Sequence, residues 1–247
     1  MPRFSSARIL VTGAASGIGA ATARLLASEG ADLVLMDRDP DGVAAFPDAT
    51  HLIGDVADPA MWAGADLAGL THAVVNAGIG AGGTPLADLP FEEWRRVMDV
   101  NLDGAFLSPQ AALRAIRDGG RGGAVVITAS VAGMKAERFI GPYSAGKAAL
   151  IQLARVAAKE CAPDIRVNAI APGGTETAIW SNQPFFRQLA EAQGSEEAAY
   201  RAMAAQATPL GRFAKPKEIA AQIAFLLSED CAFTTGSVLV SDGGYSL

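Results

Sequence analysis

The sequence has 247 residues, of which 50% are hydrophobic and 19% are charged, with 20 Lys and Arg against 26 Asp and Glu. The net charge of -6 argues against a nucleic-acid-binding protein, because neutralising phosphates requires a clustered excess of basic side chains. Two cysteines are too few for a disulfide scaffold or a four-ligand zinc site, and no apolar stretch reaches the roughly 18 residues of a membrane helix. We therefore expect a cytoplasmic globular protein that binds neither nucleic acid nor membrane.

Short apolar runs alternate with segments of helical spacing, which is typical of a parallel sheet covered by helices on both faces. The predicted strands are 7–12, 32–36, 51–54, 71–75, 123–128, 165–170 and 237–240. The predicted helices are 17–29, one from about 91 that continues past 101, 143–160 and 216–228. The segment from 37 to 55 is too short for a full helix and is predicted to be mostly loop. The pattern predicts a single α/β domain over residues 1–247.

One segment, 175–206, departs from this alternation. It is rich in alanine and contains the aromatic residues Trp180, Phe185, Phe186 and Tyr200. Long irregular insertions in compact domains are usually lids or binding loops, so we expect a substrate-binding loop that closes over bound substrate. The alternative is a helical hairpin that only packs against the domain.

The first predicted strand ends in Thr-Gly-Ala-Ala-Ser-Gly-Ile-Gly over 12–19 and leads directly into a helix. Glycine permits a tight turn and lets a pyrophosphate approach the backbone, while the free N–H groups of the helix N-terminus attract the anion. A glycine-rich turn between a strand and a helix indicates a dinucleotide site. The predicted cofactor-binding residues of this turn are Gly13, Ser16, Gly17, Ile18 and Gly19.

Asp37 ends the second predicted strand, 18 residues after Gly19, where a carboxylate can accept the ribose hydroxyls of adenosine. A carboxylate 4 Å from a 2′-phosphate would be repelled by about 4 kcal/mol per unit-charge pair at an effective dielectric constant of 20. Arg38 is adjacent and also a candidate cofactor contact, because it could reach a phosphate. The sequence thus favours NAD over NADP, the alternative being that Asp37 is a turn residue only.

Tyr143 and Lys147 are four residues apart at the start of a predicted helix, and residues at this spacing share a helix face. A free tyrosine has a pKa near 10, and a neighbouring cation lowers it so that the phenol can exchange a proton near neutral pH. An exposed amphipathic pair is the alternative interpretation. Ser130, at the end of the fifth strand, could hydrogen-bond a substrate oxygen, and the amide of Asn101 could orient a relay water.

Further motifs occur in order: Asn76-Ala77-Gly78 after the fourth strand, Pro172-Gly173 after the sixth, and Asp242-Gly243-Gly244 after the last. With the glycine turn and Tyr143-x-x-x-Lys147, they resemble the single-domain branch of the short-chain dehydrogenase/reductase (SDR) family over essentially the whole chain. The resemblance implies a Rossmann-type doubly wound parallel sheet, no metal, and hydride transfer between a nicotinamide and a carbonyl or secondary alcohol.

The resemblance also implies roles for single residues. Tyr143 would be the general acid/base, Lys147 would lower its pKa and hold the nicotinamide ribose, Ser130 would position the substrate oxygen, and Asn101 would maintain the relay water. Thr175 departs from the family pattern, which usually has an aliphatic residue there. Cofactor contacts outside the glycine turn would be Asp55, Val56, Asn76, Ala77, Gly78, Tyr143, Lys147, Pro172, Gly173, Thr175 and Thr177.

The leading hypothesis is an NAD-dependent dehydrogenase of an apolar secondary alcohol, or the corresponding ketone reductase. Lys135, Glu137 and Arg138 are near enough to leave a polar substrate open. An NADPH-dependent 3-oxoacyl reductase of fatty-acid type and a catalytically inactive NAD-binding regulator are the alternatives. By family analogy we expect a homotetramer paired through helix faces in 91–109 and 143–160. The predicted substrate-pocket residues are Met134, Phe139, Ile140, Gly174, Trp180 and Phe185.

Overall fold

The computed structural model describes residues 2–247, and its seven strands form one parallel sheet in the order β3-β2-β1-β4-β5-β6-β7. The expected doubly wound α/β architecture is confirmed. Because successive strands run outward in opposite directions from β1 and β4, a crevice opens between their carboxyl ends. The strands are β1 (Arg8–Thr12), β2 (Asp32–Asp37), β3 (Thr50–Ile53), β4 (His72–Val75), β5 (Gly123–Thr128), β6 (Ile165–Pro172) and β7 (Val238–Ser241).

Helices cover both faces of the sheet and bury two apolar cores. On one face, α1 and α10 pack on β1, β2 and β5 through residues such as Leu26 and Ile223. On the other, α5 and α6 pack through Ile116 and Leu150. The helices are α1 (Gly17–Ser28), α2 (Pro40–Val43), α3 (Pro59–Ala63), α4 (Phe91–Met98), α5 (Ala105–Gly119), α6 (Gly141–Cys161), α7 (Ala178–Ser181), α8 (Pro184–Gln193), α9 (Glu196–Ala207) and α10 (Pro216–Leu227).

The helix predicted to run without interruption past Asn101 is interrupted. A π-helical segment, Asp99–Gly104, separates α4 from α5. Pro109 has no N–H to donate to the Ala105 carbonyl one turn earlier, and the Ser108 hydroxyl donates to the Gly104 carbonyl at 2.6 Å. A π-helical turn contains one residue more than an α-helical turn, which changes the direction of the side chains within it. Such π turns occur often at functional sites.

The segment 175–206 is largely helical, not irregular, and contains α7, α8 and most of α9. It has an aromatic core of its own, in which the Phe186 and Tyr200 rings lie 4.6 Å apart and Phe213 joins them from outside the segment. The segment therefore has the hairpin form named as the alternative, and its closing over substrate stays a prediction.

Within residues 2–247, no helix has the length and apolarity needed to cross a bilayer. The cytoplasmic location stays a prediction.

Candidate active site

The glycine turn lies at the carboxyl end of β1, where the sheet order reverses. A Cβ on Gly19 would lie 1.9 Å from the Gly13 carbonyl oxygen, so the first turn of α1 packs directly on the backbone of the residue that follows β1. Gly13 itself has φ +66, a conformation that favours glycine, and a Cβ there would lie 2.9 Å from Ala77 Cα. Ser16 is the exposed N-cap residue of α1, and Ile18 is half-buried against the core.

A residue that the sequence analysis missed joins this turn to the loop after β4. The hydroxyl of Thr12, which is fully buried, accepts hydrogen bonds from the backbone N–H groups of Asn76 (2.9 Å) and Ala77 (3.0 Å). The Asn76 amide donates in return to the Thr12 carbonyl at 3.2 Å. A polar residue at the end of an otherwise apolar strand was the available signal. These bonds fix Asn76-Ala77-Gly78 beside the glycine turn.

The carboxylate of Asp37 lies beside the glycine turn, at the end of β2. It accepts hydrogen bonds from the N–H of Ala15 at 2.9 Å and from the N–H of Asp39 at 3.1 Å. Arg38 is exposed and, among residues 2–247, forms no ion pair. The negative charge at this end of the crevice is therefore not neutralised by its neighbour.

Asp55 and Val56, both predicted cofactor contacts, differ in exposure. Asp55 is exposed and accepts the Ala57 N–H at 2.9 Å, whereas Val56 is buried and its carbonyl accepts the Trp62 indole N–H at 2.8 Å. Val56 also touches the π segment, since a Cβ on Gly104 would lie 2.6 Å from Val56 Cγ2. The segment 55–56 thus connects the loop after β3 to the turn that carries Asn101.

Asn101 is fully buried in the π segment, and its side-chain amide forms two hydrogen bonds with the backbone of Ile79. Its Nδ2 donates to the Ile79 carbonyl and its Oδ1 accepts the Ile79 N–H, both at 2.8 Å. A Cβ on Gly78 would lie 3.2 Å from Asn101 Oδ1 and 3.4 Å from Lys147 Nζ. The backbone at Gly78 therefore lies between the amide and the ammonium group.

Ser130, Tyr143 and Lys147 meet at the carboxyl end of β5. Ser130 follows that strand and is buried, and its hydroxyl accepts the Ala132 N–H at 3.2 Å. Lys147 is also buried, and its Nζ donates to the Thr128 carbonyl at 2.8 Å. Tyr143 is half-buried on the first turn of α6, and Lys147 Nζ lies 5.7 Å from the centre of its ring.

The electrostatics of this group differ from the sequence expectation. Burial raises the pKa of Tyr143, and a hydrogen bond with Ser130 opposes the rise only in part. The net pKa of Tyr143 is therefore raised where the sequence predicts a lowered one, because desolvation of the phenol outweighs the other effects; the role of Lys147 in the reaction stays a prediction. Burial also lowers the pKa of Lys147 to about 8.

The loop after β6 brings further predicted residues to the same edge. Pro172 ends β6, and a Cβ on Gly173 would lie 2.7 Å from Asp242 Cβ. Thr175 is buried and its hydroxyl donates to the Gly173 carbonyl at 3.3 Å. Thr177 precedes α7, and its Cγ2 would lie 3.2 Å from a Cβ on Gly17. This loop therefore contacts the glycine turn at Gly17.

The predicted substrate-pocket residues lie on two segments. Met134, Phe139 and Ile140 precede α6, and the first two are exposed. Trp180 packs edge-on against the exposed Phe185 at 6.3 Å. Phe213, which the sequence analysis missed, packs against Trp180, and a Cβ on Gly174 would be 2.4 Å from its ring. No local pattern marks Phe213, since it reaches the site from beyond α9.

Comparison with known proteins places the chain in a family. The family model described as Enoyl-(Acyl carrier protein) reductase matches residues 13–246. The chain is 40% identical over 257 residues to cis-4-hydroxycyclohexanecarboxylate dehydrogenase of Sinomonas cyclohexanicum, covering 98% of both chains. The chain belongs to the short-chain dehydrogenase/reductase family.

Two further SDR relatives are informative. The chain is 36% identical to cyclohexanol dehydrogenase of Acinetobacter sp. (strain SE19), covering 99% of this chain and 96% of the relative. The crystal structure of carveol dehydrogenase from Mycobacterium avium in complex with NAD superposes with a TM-score of 0.91 and 28% identity, covering 99% of each chain. SDR dehydrogenases bind nicotinamide cofactors.

The residues of this chain fit such a cofactor. The turn at Gly13 and Gly19 leaves bare backbone where a Cβ would fill space, and the N-terminus of α1 follows it. Lys147 carries three N–H donors, of which one is used by the Thr128 carbonyl, and no carboxylate of residues 2–247 pairs with it. A buried cation with donors to spare suits ribose hydroxyl groups.

Replacing Gly19 by alanine tests the glycine turn. The added Cβ cannot fit 1.9 Å from the Gly13 carbonyl oxygen, so the turn must shift. We expect the Kd for NADH, measured by fluorescence titration, to rise roughly tenfold or more, since overpacking costs about 1–3 kcal/mol. Gly119→Ala is the matched control, because its Cβ would meet only the Leu70 carbonyl at 3.8 Å. Equal Kd values for the two variants would refute the assignment of the turn.

Proposed function

We propose that the protein is an NAD-dependent dehydrogenase of secondary alcohols on an apolar ring, or the corresponding ketone reductase. Its relatives act on secondary alcohols and ketones, and the chain is an oxidoreductase of this class. The observation that carries the proposal is the meeting of Ser130, Tyr143 and buried Lys147 at the carboxyl end of β5, next to the glycine turn.

In this mechanism the Tyr143 hydroxyl exchanges the proton of the substrate. For oxidation, the Ser130 hydroxyl holds the alcohol oxygen, and Tyr143, acting as the phenolate, accepts the hydroxyl proton as the carbonyl forms. A nicotinamide bound beside them would supply the hydride acceptor for the carbinol carbon. Lys147 stabilises negative charge on the phenol oxygen from inside a low-dielectric site, where its attraction is larger than in water. Asn101 keeps the backbone at Gly78 and Ile79 in place.

The choice of NAD rests on Asp37. Its carboxylate is fixed against the glycine turn by the Ala15 N–H, so it cannot move away from a 2′-phosphate without losing that bond. Within residues 2–247, Arg38 makes no ion pair with it. The carveol dehydrogenase neighbour, bound to NAD, supports the same choice.

The choice of an apolar ring rests on the pocket walls and on the relatives. Phe139 and Ile140 offer apolar surface close in the chain to Tyr143, Trp180 offers a further apolar side chain on the segment 175–206, and two relatives are named for a cyclohexanecarboxylate and for cyclohexanol. The rival, an NADPH-dependent 3-oxoacyl reductase, requires a cation that outweighs Asp37. We find no observation that favours the inactive regulator.

We also propose a homotetramer. Apolar side chains are exposed on the faces of two helices, at Phe106 of α5 and Val156 of α6. A second apolar area lies toward the β7 end of the sheet, where Phe225 is 42% exposed and Phe233 is fully exposed. Two separate exposed apolar patches are what a tetramer with two kinds of twofold interface requires.

The first prediction concerns proton transfer. Tyr143→Phe removes the hydroxyl that exchanges the proton, so we expect kcat for cyclohexanol oxidation to fall about 10²- to 10⁴-fold, while NADH binding is retained. Tyr200→Phe is the matched control: its hydroxyl only donates to the Thr177 carbonyl at 3.2 Å, and most of the wild-type kcat should remain. Wild-type kcat in Tyr143→Phe would overturn the mechanism.

The second prediction concerns the cofactor. Asp37→Asn removes the charge and keeps the shape, so the ratio of kcat/KM with NAD to that with NADP should fall at least about tenfold, equivalent to about 1.4 kcal/mol. Asp39→Asn is the control, because Asp39 caps α2 through the N–H groups of Asp41 and Gly42. A wild-type protein that prefers NADPH and reduces a 3-oxoacyl thioester would instead support the rival function.

The third prediction concerns assembly. Sedimentation should give about four times the chain mass of 25.3 kDa. Phe106→Asp and Phe233→Asp each charge one apolar patch and should each halve that mass, because each breaks one kind of interface. Ile53→Asp, at the β3 edge and 46% exposed, is the control and should leave it unchanged. A single-chain mass for the unaltered protein would rule out the tetramer.

A further inference from the structure

The loop 134–140 lies between the short turn after Ser130 and α6, the helix that carries Tyr143 and Lys147. It is largely exposed. Met134 is 55% exposed and Phe139 44%. Phe139 has φ +70, an unfavourable backbone conformation for a bulky residue. Such a conformation persists only when contacts elsewhere determine it. Something outside the loop must therefore hold it.

The contacts come from the last residues of the chain. The Tyr245 hydroxyl donates to Glu137 Oε1 at 2.5 Å, and the Tyr245 carbonyl accepts a hydrogen bond from Lys135 Nζ at 3.0 Å. The same ammonium lies 3.9 Å from the centre of the Tyr245 ring and 3.6 Å from Glu137 Oε1. Burial and the carboxylate of Glu137 raise the pKa of Tyr245, so its hydroxyl keeps the proton that it donates.

The turn that carries Tyr245 is itself rigid. The Asp242 carboxylate accepts the N–H groups of Gly244 (2.9 Å) and Ser246 (2.8 Å). The Gly243 carbonyl accepts the Leu210 N–H at 3.1 Å, just beyond the end of α9. The turn therefore touches the residues that directly follow α9 on one side, at Thr208 and Leu210, and the loop 134–140 on the other. The loop 134–140 is one of the segments that flank the proposed substrate pocket.

We propose that Tyr245 is a positioning residue for substrate specificity: through Glu137 and Lys135 it holds the loop 134–140 in the conformation that receives a ring-shaped substrate. The identity of that substrate rests on the proposed function. Tyr245 touches neither the glycine turn nor the Ser130, Tyr143 and Lys147 group in the described contacts, so it acts on substrate fit and not on cofactor binding or proton transfer.

Tyr245→Phe tests the proposal, because it keeps the ring over Lys135 and removes only the hydroxyl bound to Glu137. We expect KM for cyclohexanol to rise roughly tenfold, equivalent to about 1.4 kcal/mol, with little change in kcat and an unchanged Kd for NADH. Glu137→Ala should match Tyr245→Phe, and the double variant should lose no more than either alone. Glu137→Gln, whose amide oxygen accepts the same bond, should retain the low KM. Leu247→Ala, fully exposed in the same tail, is the control.

A second measurement does not depend on turnover. Arg138 is exposed in the loop, so the rate of tryptic cleavage after it reports whether the loop is held. Cleavage should be faster in Tyr245→Phe and Glu137→Ala than in Glu137→Gln or Leu247→Ala. Faster cleavage in a protein that oxidises no cyclic alcohol would uphold the contact and refute the proposed function. Unchanged KM and cleavage in Tyr245→Phe, or a lower melting temperature with no change in KM, would overturn the positioning role.

Discussion

The arrangement of the candidate site depends on the two hydrogen bonds between the Asn101 amide and the backbone of Ile79. The amide is fully buried, and leaving its donor or acceptor without a partner would cost about 1–3 kcal/mol per group. Both are satisfied by one residue, which ties the π segment to the loop after β4. An uninterrupted α-helix would turn the side chain at this position in another direction. The π turn is therefore the local distortion that allows both hydrogen bonds to Ile79 to form.

The two hydrogen bonds between Asn101 and Ile79 also affect the charged groups of the site. They hold Gly78 close to the Lys147 ammonium, which the Thr128 carbonyl binds from the other side. Burial lowers the pKa of Lys147 to about 8 and raises that of Tyr143, so both groups are shifted toward their neutral forms. Burial disfavours the charged form of Lys147 because it removes the solvation of the ammonium group. A negative charge placed nearby, on the phenol oxygen or on a ligand, would offset that loss by pairing with the ammonium group. A site built in this way favours charge that develops during reaction.

Much of this arrangement was predictable from local sequence. The glycine turn, the Tyr143 and Lys147 spacing and the alternation of strands and helices each depend on residues close together in the chain. Thr12, Phe213 and Tyr245 were missed because their roles come from contacts with residues at least 39 positions away, to Asn76, Gly174 and Glu137. The π turn was missed because one added residue leaves the helical spacing on either side intact. The pKa direction of Tyr143 was wrong because spacing predicts a neighbouring cation and does not predict desolvation.

A single sheet and its covering helices use nearly all of the chain, so we propose that substrate selection comes from the short segments at its carboxyl edge. These segments expose apolar side chains and include a residue with positive φ, and such segments do not hold one conformation unaided. The turn 242–246, fixed by the Asp242 carboxylate, contacts Glu137 in the loop 134–140 and Leu210 just beyond α9. Within residues 2–247, the hydrogen bonds of this turn do not involve Ser130, Tyr143 or Lys147. Under the proposed function, residues of the turn could therefore vary with the substrate while the proposed proton-transfer residues stay unchanged, so that specificity and chemistry would depend on separate parts of the chain.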